Sequence, residues 1–309
     1  MASLSLGYAS SLDNTDDMWS FGLGKPCPFI PGTHGSMTYW IPSDLTRTQS
    51  DDLDTQLLGG IRYIDISCRY TKNNLMVYKG LVDTSYSFKD VLRTMFNFLD
   101  DHPREVLILR IQKSGILDDS KKFLDFVERH FDPDSEMGDH VAKRIYFKNS
   151  GDISIPTIGE ARGKVLILQD FKSSQPALYG MPWNSDTVSS YSHRLAPGSP
   201  FLDLKWAGIR SHFSQSCSED FNKLRITHTT ADVGVKPLDI AANNYGINGR
   251  LGRYLLYEQG NCFGIIVMDF PGNFLVGHIV KLNNQYRDPE PSDFPSHDDR
   301  LSMPDELAI

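Results

Sequence analysis

Five ionisable residues stand at the ends of apolar segments that predict buried β-strands. They are His34, Asp65, Lys79, Asp170 and Asp269. A histidine titrates near neutral pH and can exchange protons with a substrate, and a carboxylate beside it fixes its tautomer. A lysine is a fixed cation at pH 7 unless burial lowers its pKa. These residue types at strand ends predict acid–base chemistry at one end of a sheet.

Seven apolar segments bounded by turn-forming residues predict the strands that would position these side chains. They cover residues 28–31, 61–66, 75–78, 106–111, 165–168, 224–226 and 263–270. Each is apolar on both faces, as in a parallel sheet that is covered on both sides, and none alternates as a hairpin strand does. We therefore expect buried parallel strands.

Apolar residues at helical spacing lie between several of these strands. The predicted helices cover residues 88–99, 121–130, 249–258 and 274–286. Ser87 is the predicted N-cap of the first, which stops before Pro103. Strands that alternate with helices along the whole chain predict an α/β fold, and more closely a TIM-type (β/α) barrel.

The chain divides by composition into three parts. We expect one barrel domain at residues 18–286, an N-terminal extension at 1–17 and an acidic, proline-rich tail at 287–309. Residues 173–218 are rich in Gly, Pro and Ser and predict long loops, where such folds usually keep their substrate contacts.

Charge and composition narrow the classes of function. The 309 residues carry 31 Lys and Arg against 39 Asp and Glu, a net charge of −8, so we expect no nucleic-acid partner. No segment is apolar over the ~18 residues that a transmembrane helix needs. The four cysteines are far apart, and the first residues lack the basic and apolar regions of a secretion signal, so we expect reduced thiols and a cytoplasmic location.

Motifs at five places along the chain resemble one known family. Residues 30–39 read IPGTHGSMTY, residues 56–66 QLLGGIRYIDI, residues 98–109 FLDDHPREVLIL, residues 160–168 EARGKVLIL and residues 264–270 GIIVMDF. In order and spacing they resemble the X domain of phosphatidylinositol-specific phospholipase C, in the compact form of bacterial members. The resemblance implies the barrel of the PLC-like phosphodiesterase superfamily, in a form that is distorted or incompletely closed.

The resemblance also implies roles for the matched residues. Family members cleave a phosphodiester by letting the neighbouring inositol hydroxyl attack phosphorus, which requires a base, an acid and a cation. His34 matches the family's general base, and Asp269 matches the carboxylate that orients it. The acid is not kept, because the family's second histidine falls on Lys79 and the aspartate after its first histidine falls on Gly35.

The cations of the family site are replaced as well. The phosphate-binding arginine of the bacterial type falls on Ser67, although Arg69 follows two residues later on the same strand. The arginine that contacts inositol falls on Asp170. Gly35, Asp65 and Ser67 offer too few oxygen donors for the calcium site of the eukaryotic type. We therefore expect neither a metal nor a cofactor.

Carboxylates outnumber the single lysine among the predicted strand-end residues, and Trp183 and Asp203 are further substrate-binding candidates from loops. Such a pocket suits a neutral or cationic small molecule better than a phosphodiester anion. The foremost prediction is therefore a repurposed lyase or cyclase that works by acid–base catalysis in small-molecule biosynthesis, with His34, Asp269 and Lys79 as its catalytic residues.

Two alternatives stay open. In one, the chain is a phosphodiesterase or phospholipase C-like enzyme in which Lys79 and Arg69 assist the His34 base, and only this alternative implies contact with a membrane surface. In the other it is a binding protein without catalysis. His212 and His228 are second-line site candidates, and the sequence predicts no oligomeric state.

Overall fold

The computed structural model describes residues 29–115, 120–147, 152–172, 179–192, 201–214, 223–231, 234–242, 246–257 and 263–283. The predicted extension at 1–17 and the predicted tail at 287–309 lie outside these residues. In the described part of the chain, no helix is long and apolar enough to cross a membrane.

The described strands are β1 (Ile30–Thr33), β2 (Tyr63–Tyr70), β3 (Leu75–Lys79), β4 (Val82–Ser87), β5 (Val106–Lys113), β6 (Lys164–Asp170), β7 (Met181–Pro182), β8 (Val188–Ser192), β9 (Leu224–His228) and β10 (Ile265–Met268). The described helices are α1 (Leu53–Leu58), α2 (Phe88–Asp101), α3 (Ser120–Phe131), α4 (Gly138–Arg144), α5 (Ile158–Ala161), α6 (Leu202–Phe213), α7 (Pro237–Ala241), α8 (Ile247–Tyr257) and α9 (Asn273–Leu282).

Eight of these strands form one parallel sheet in the order β7-β6-β5-β2-β1-β10-β9-β8. All eight contribute apolar side chains to one interior cluster, which is what a sheet curved into a barrel produces. Its buried members include Ile30, Tyr63, Ile108, Leu166, Met181, Ile226 and Val267, and the partly buried Val188 of β8 packs against them. The prediction of a TIM-type barrel is thus confirmed.

The barrel is not fully closed by backbone pairing. The end strands β7 and β8 pair with β6 and β9, respectively, and not with each other in the described residues. Trp183, which follows β7, faces His228 at the end of β9 with ring centroids 6.3 Å apart. Side chains therefore make contact across the gap between the two end strands. The prediction of an incompletely closed barrel is confirmed for the described residues.

Helix α2 illustrates how the outer layer is fixed. Its buried residues recur at helical spacing and pack against the sheet. Ser87 caps its N-terminus in a capping box with Asp90, an arrangement that typically stabilises a helix by about 1 kcal/mol. His102 is its C-cap, so the predicted start and stop of this helix are both confirmed.

Residues 75–78 correct the prediction of parallel strands throughout. They lie in β3, which pairs antiparallel with the long end of β2 and with β4, a strand that was not predicted. Leu75 and Val77 are buried, whereas Met76 and Tyr78 are partly exposed, so the strand has the one-sided burial of a hairpin. Four residues are too few to separate this pattern from a strand buried on both faces.

The stretch 173–218 is also more regular than predicted. Within its described residues lie β7, β8 and α6. Helix α6 buries Ile209, His212 and Phe213 toward the barrel. Its weak amphipathic pattern, with Gly208 and Ser211 among polar residues, explains why composition alone indicated a loop.

Candidate active site

His34 and Asp269 are brought together by the register of two neighbouring strands. Thr33 at the end of β1 pairs with Met268 at the end of parallel β10, so the next residue on each strand stands beside the other. His34 Nδ1 lies 2.9 Å from Asp269 Oδ1. Asp269 is 1% exposed, and its other oxygen accepts a hydrogen bond of 2.7 Å from the Ala231 amide. The carboxylate thus holds the Nδ1–H tautomer and leaves Nε2 as the working nitrogen.

The backbone at His34 is fixed by a loop that sequence analysis overlooked. The His34 carbonyl accepts hydrogen bonds from Thr48 Oγ1 at 2.7 Å and from Gln49 Nε2 at 2.8 Å. Its amide donates to the Met268 carbonyl at 3.0 Å. These bonds fix the position of the His34 backbone, and with it the imidazole, at the mouth of the barrel.

Hydrogen bonds also fix the turn that follows Asp269. Phe270 has a φ of +45°, a left-handed conformation that a bulky residue adopts only under constraint. Asn248 Nδ2 donates to the carbonyls of both Asp269 and Phe270 at 2.9 Å. The Phe270 amide donates to the Thr48 carbonyl at 2.8 Å, which ties this turn to the His34 loop.

Lys79 reaches the same point from the hairpin. Its Nζ contacts His34 Nε2 directly, on the side of the ring opposite Asp269. Burial lowers the pKa of the Lys79 ammonium, and Arg110 acts in the same direction, while Asp65 and Asp269 oppose the shift. The predicted catalytic trio is therefore one contact chain from Asp269 through His34 to Lys79.

Gly35 makes room for this lysine. Its φ is +54°, and a Cβ built there would lie 3.2 Å from Lys79 Cδ, 3.3 Å from Lys79 Cε and 2.8 Å from Thr48 Oγ1. A side chain at position 35 would thus press on the lysine stem. The two departures from the family pattern, glycine at 35 and lysine at 79, are physically coupled.

Arg110 is a member of this cluster that sequence analysis missed. It stands on β5 directly opposite Asp65 on β2, with Nη1 3.6 Å from Asp65 Oδ2. Its Nη2 donates to Asp170 Oδ2 at 2.7 Å, and its guanidinium carbon lies 3.6 Å from the Trp183 ring centroid. The signal was a single charged residue inside an otherwise apolar strand, a position at which a charge needs a partner.

The surroundings of Arg110 keep it charged. Burial opposes the charge, but Asp65, Tyr63 and Asp170 together raise the pKa of the guanidinium above its ordinary value. The negative charge of Asp170 therefore faces a permanent cation, which the sequence argument for a carboxylate-rich pocket did not include.

Ser67 and Asp170 belong to one hydrogen-bonded chain. Gln112 Nε2 donates to Asp170 Oδ2 at 3.0 Å, and Gln112 Oε1 accepts a bond of 2.9 Å from Ser67 Oγ. The two positions where the family has arginines are thus linked through a glutamine on β5. Asp65 Oδ1 is buried and has no hydrogen-bond partner among the described residues.

Of the two second-line candidates, His228 lies in the site and His212 lies outside it. The His228 ring lies 6.3 Å from the His34 ring, inside the site. Burial, with the positive charge of Arg110 next in size, holds the pKa of His228 well below its usual value, so this ring is neutral at pH 7. His212 lies between α6 and the sheet, where its Nδ1 is 2.7 Å from Thr227 Oγ1, and it stacks on Tyr191.

Two predicted site residues are not brought to this cluster. Asp203 is on the first turn of α6, where its 91% exposed side chain pairs with Arg250 at 2.6 Å. Arg69 lies on the hairpin, with its guanidinium carbon 5.9 Å from the Tyr78 ring centroid. It stands four residues beyond Asp65, roughly 13 Å further along the strand. Among the described residues, no three His, Cys, Asp or Glu side chains are placed to hold a metal ion.

Comparisons with known proteins identify the family that this chain resembles. Residues 31–171 match the model for the family described as phosphatidylinositol-specific phospholipase C, X domain. A 1-phosphatidylinositol phosphodiesterase of Listeria monocytogenes is 29% identical over 275 residues, which is 82% of this chain and 80% of that protein. One from Staphylococcus aureus is 23% identical over 154 residues, which is 45% of this chain and 44% of that protein.

Solved structures give the same likeness. The structure of phosphatidylinositol-specific phospholipase C from Listeria monocytogenes has a TM-score of 0.67 at 25% identity and covers 87% of this chain and 98% of its own. A variant of the Staphylococcus aureus enzyme has a TM-score of 0.69 at 17% identity, with coverage of 89% and 95%, which is a likeness of fold.

Proposed function

Because this chain belongs to the phosphatidylinositol-specific phospholipase C X-domain family, we propose that it cleaves a phosphodiester when a hydroxyl of the substrate itself attacks phosphorus. The observation that carries this proposal is the pair formed by His34 and Asp269 at the barrel mouth, opposed by the two cations Lys79 and Arg110. A base, a proton donor and a charge for the phosphate are the groups that such a reaction requires.

The charges of the site now favour the phosphodiesterase alternative over the lyase or cyclase that the sequence put first. That preference rested on carboxylates facing one lysine. Arg110 adds a buried cation, and it engages both Asp65 and Asp170. Asp269 in turn is engaged by His34 and a backbone amide. The site therefore has two cations, and its carboxylates are already paired.

In the proposed reaction, His34 Nε2 takes the proton of the attacking hydroxyl. Asp269 stabilises the imidazolium that forms, as an oriented carboxylate does in other histidine-based sites. The Lys79 ammonium, which contacts Nε2 in the free protein, moves onto a phosphate oxygen and then donates a proton to the leaving oxygen. Its lowered pKa supports this second task, because an ammonium with a lower pKa is a stronger acid and gives up its proton more readily.

A substrate that carries several hydroxyls fits the remaining polar groups. Asp65 is 2% exposed, and its Oδ1 lacks a partner among the described residues. A buried carboxylate oxygen gains most from a hydroxyl donor, so we infer that Asp65 binds a substrate hydroxyl. Asp170 presents a second carboxylate beside it, in place of the family's arginine, and favours a headgroup rich in donors.

Acid–base catalysis on a neutral small molecule stays the second candidate. The observation in its favour is that the phosphate-binding and inositol-binding arginines of the family are Ser67 and Asp170 here. The cytoplasmic location and the biosynthetic role that the sequence suggested remain predictions, as does contact with a membrane surface, which only the phosphodiester reaction implies.

The test is phosphodiester cleavage by the purified chain. Phosphatidylinositol vesicles and water-soluble glycerophosphoinositol serve as substrates. Inositol phosphate is measured as the product of both, with diacylglycerol released from the vesicles and glycerol from the soluble substrate. We expect activity that His34→Ala abolishes and that the matched control Asp203→Ala retains, since Asp203 is exposed and far from the cluster. Wild-type protein that releases no product from either substrate would overturn the proposal and return the lyase, cyclase and binding alternatives to first place.

A further inference from the structure

The contact between Lys79 and His34 has the geometry of an activated nucleophile. Lys79 Nζ rests on His34 Nε2, and His34 Nδ1 is held by Asp269 Oδ1 at 2.9 Å. A nucleophile within hydrogen-bond reach of a base, with the base oriented by a third group, is the general arrangement of a catalytic triad. Here the outward member of that arrangement is an amine.

We propose that Asp269, His34 and Lys79 form a triad that activates the Lys79 amine, and that this amine forms an imine with an aldehyde or ketone that enters the barrel mouth. This inference concerns a second chemistry of the same residues. It stands apart from the proposed phosphodiester cleavage, because it requires neither a phosphate nor a leaving oxygen on phosphorus.

The surroundings of the amine support this chemistry. Groups from five strands face it: His34 after β1, Asp65 on β2, Arg110 on β5, His228 at the end of β9 and Asp269 after β10. Burial and the cation on β5 disfavour the ammonium form, which is one of the ways in which a lysine becomes nucleophilic. The two carboxylates act against this, so the neutral amine depends on His34 to accept the proton.

Packing around the lysine fits a built site. Gly35 leaves 3.2 to 3.3 Å between the position of its absent Cβ and the end of the lysine stem, so a side chain there would require the stem to shift by a few tenths of an ångström. Thr48 and Gln49 bind the carbonyl of His34 and fix the imidazole from behind. The amine is thus positioned from both sides.

The bonds and protons of the step balance as follows. The Lys79 ammonium gives one proton to His34 Nε2, and the nitrogen lone pair forms a bond to the carbonyl carbon while the C=O pair moves to oxygen. A proton passes from nitrogen to that oxygen. The imidazolium then protonates the resulting hydroxyl, water leaves, and a protonated imine joins the ligand to Lys79. His34 returns to its neutral form.

The experiment is reductive alkylation with acetaldehyde and cyanoborohydride at pH 7, followed by peptide mass spectrometry. Lys72 and Lys281 are exposed and serve as internal controls in the same molecule. We expect Lys79 to be alkylated severalfold faster than either, because a lowered pKa leaves more of the amine neutral at pH 7 and His34 accepts its proton. We expect His34→Gln to lower that ratio severalfold, because burial still disfavours the ammonium but no neighbouring base then accepts its proton.

A second variant separates activation from folding. Asp269→Asn keeps an oxygen for the Ala231 amide but removes the charge behind His34. The Asn amide that then faces Nδ1 leaves the proton on Nε2, so His34 no longer accepts one from Lys79. We expect this loss to outweigh the gain in neutral amine from removing the carboxylate, so Lys79 alkylation slows severalfold while the rates at Lys72 and Lys281 stay the same. The inference is wrong if Lys79 of the wild type reacts no faster than the control lysines, or if both variants leave its relative rate unchanged.

Discussion

The two halves of the barrel mouth are built in different ways. On the β1 and β10 half, strand register and hydrogen bonds to backbone carbonyls fix His34 and Asp269. The other half is formed by β2, β5, β6 and the hairpin. There, side chains hold one another in place, as Arg110 does through its ion pairs with Asp65 and Asp170.

This difference determines which residues could change independently of their neighbours. A residue fixed by backbone register can be retained while its neighbours change, because its position does not depend on them. Residues held by mutual ion pairs change as a set, since a buried charge without its partner is costly. Asp170 has Arg110 as its partner, and Lys79 has the space that Gly35 leaves. The side chains of the second half therefore form one connected set.

The largest expected effect contrasts one carboxylate from each half. Asp269→Asn leaves His34 in the wrong tautomer, so we expect phosphodiester cleavage to fall by about 10³- to 10⁴-fold. Asp170→Asn keeps a hydrogen-bond acceptor for Arg110, and we expect a far smaller loss. Initial rates on glycerophosphoinositol measure both. If the two variants lose equal fractions of the cleavage rate, the two halves do not differ in the way described.

An intermediate effect concerns the stability of the second half. Arg110→Met leaves the buried Asp65 and the partly exposed Asp170 without their cation, and we expect the free energy of unfolding to fall by about 3 kcal/mol. Adding Asp170→Leu removes one of the stranded charges and is expected to recover part of that loss. Urea unfolding of both variants measures this coupling. Strictly additive losses would show that the ion pairs are independent of each other.

The smallest effect is a pH dependence at His228, which lies between the halves. Its folded pKa lies well below its unfolded value of about 6.5, so the unfolded chain binds the proton first as pH falls. Stability from this group is present above pH ~6.5 and decreases below it by at most about 1.4 kcal/mol per pH unit. Melting curves from pH 7.5 to 5.5 check this, with His228→Asn expected to lose less stability over the range.

The sequence predicted the first half well for a physical reason. His34 and Asp269 follow apolar strands, and the carboxyl ends of parallel strands meet at one edge of a barrel. Their juxtaposition therefore follows from strand order alone. The barrel itself, the cap at Ser87 and the end of α2 are confirmed in the same way, because each depends on local pattern.

The second half depends on contacts that no local pattern records. Arg110 lies inside an apolar strand, and only the register of β2 and β5 reveals that it faces Asp65. Lys79 was assigned to a parallel strand, whereas a hairpin brings it back to His34. Asp203 was placed in a substrate loop, but it lies on α6 and pairs with Arg250. In each case the deciding fact is tertiary.

Phosphorus NMR of the reaction on glycerophosphoinositol tests the central claim most directly. Attack by a neighbouring hydroxyl forms a five-membered cyclic phosphodiester before any monoester. The phosphorus signal of the cyclic product is distinct from those of the substrate and the monoester. We predict that this signal appears with the wild type and is absent with His34→Ala. An unchanged substrate spectrum with the wild type, or a cyclic product formed equally by His34→Ala, would contradict the account.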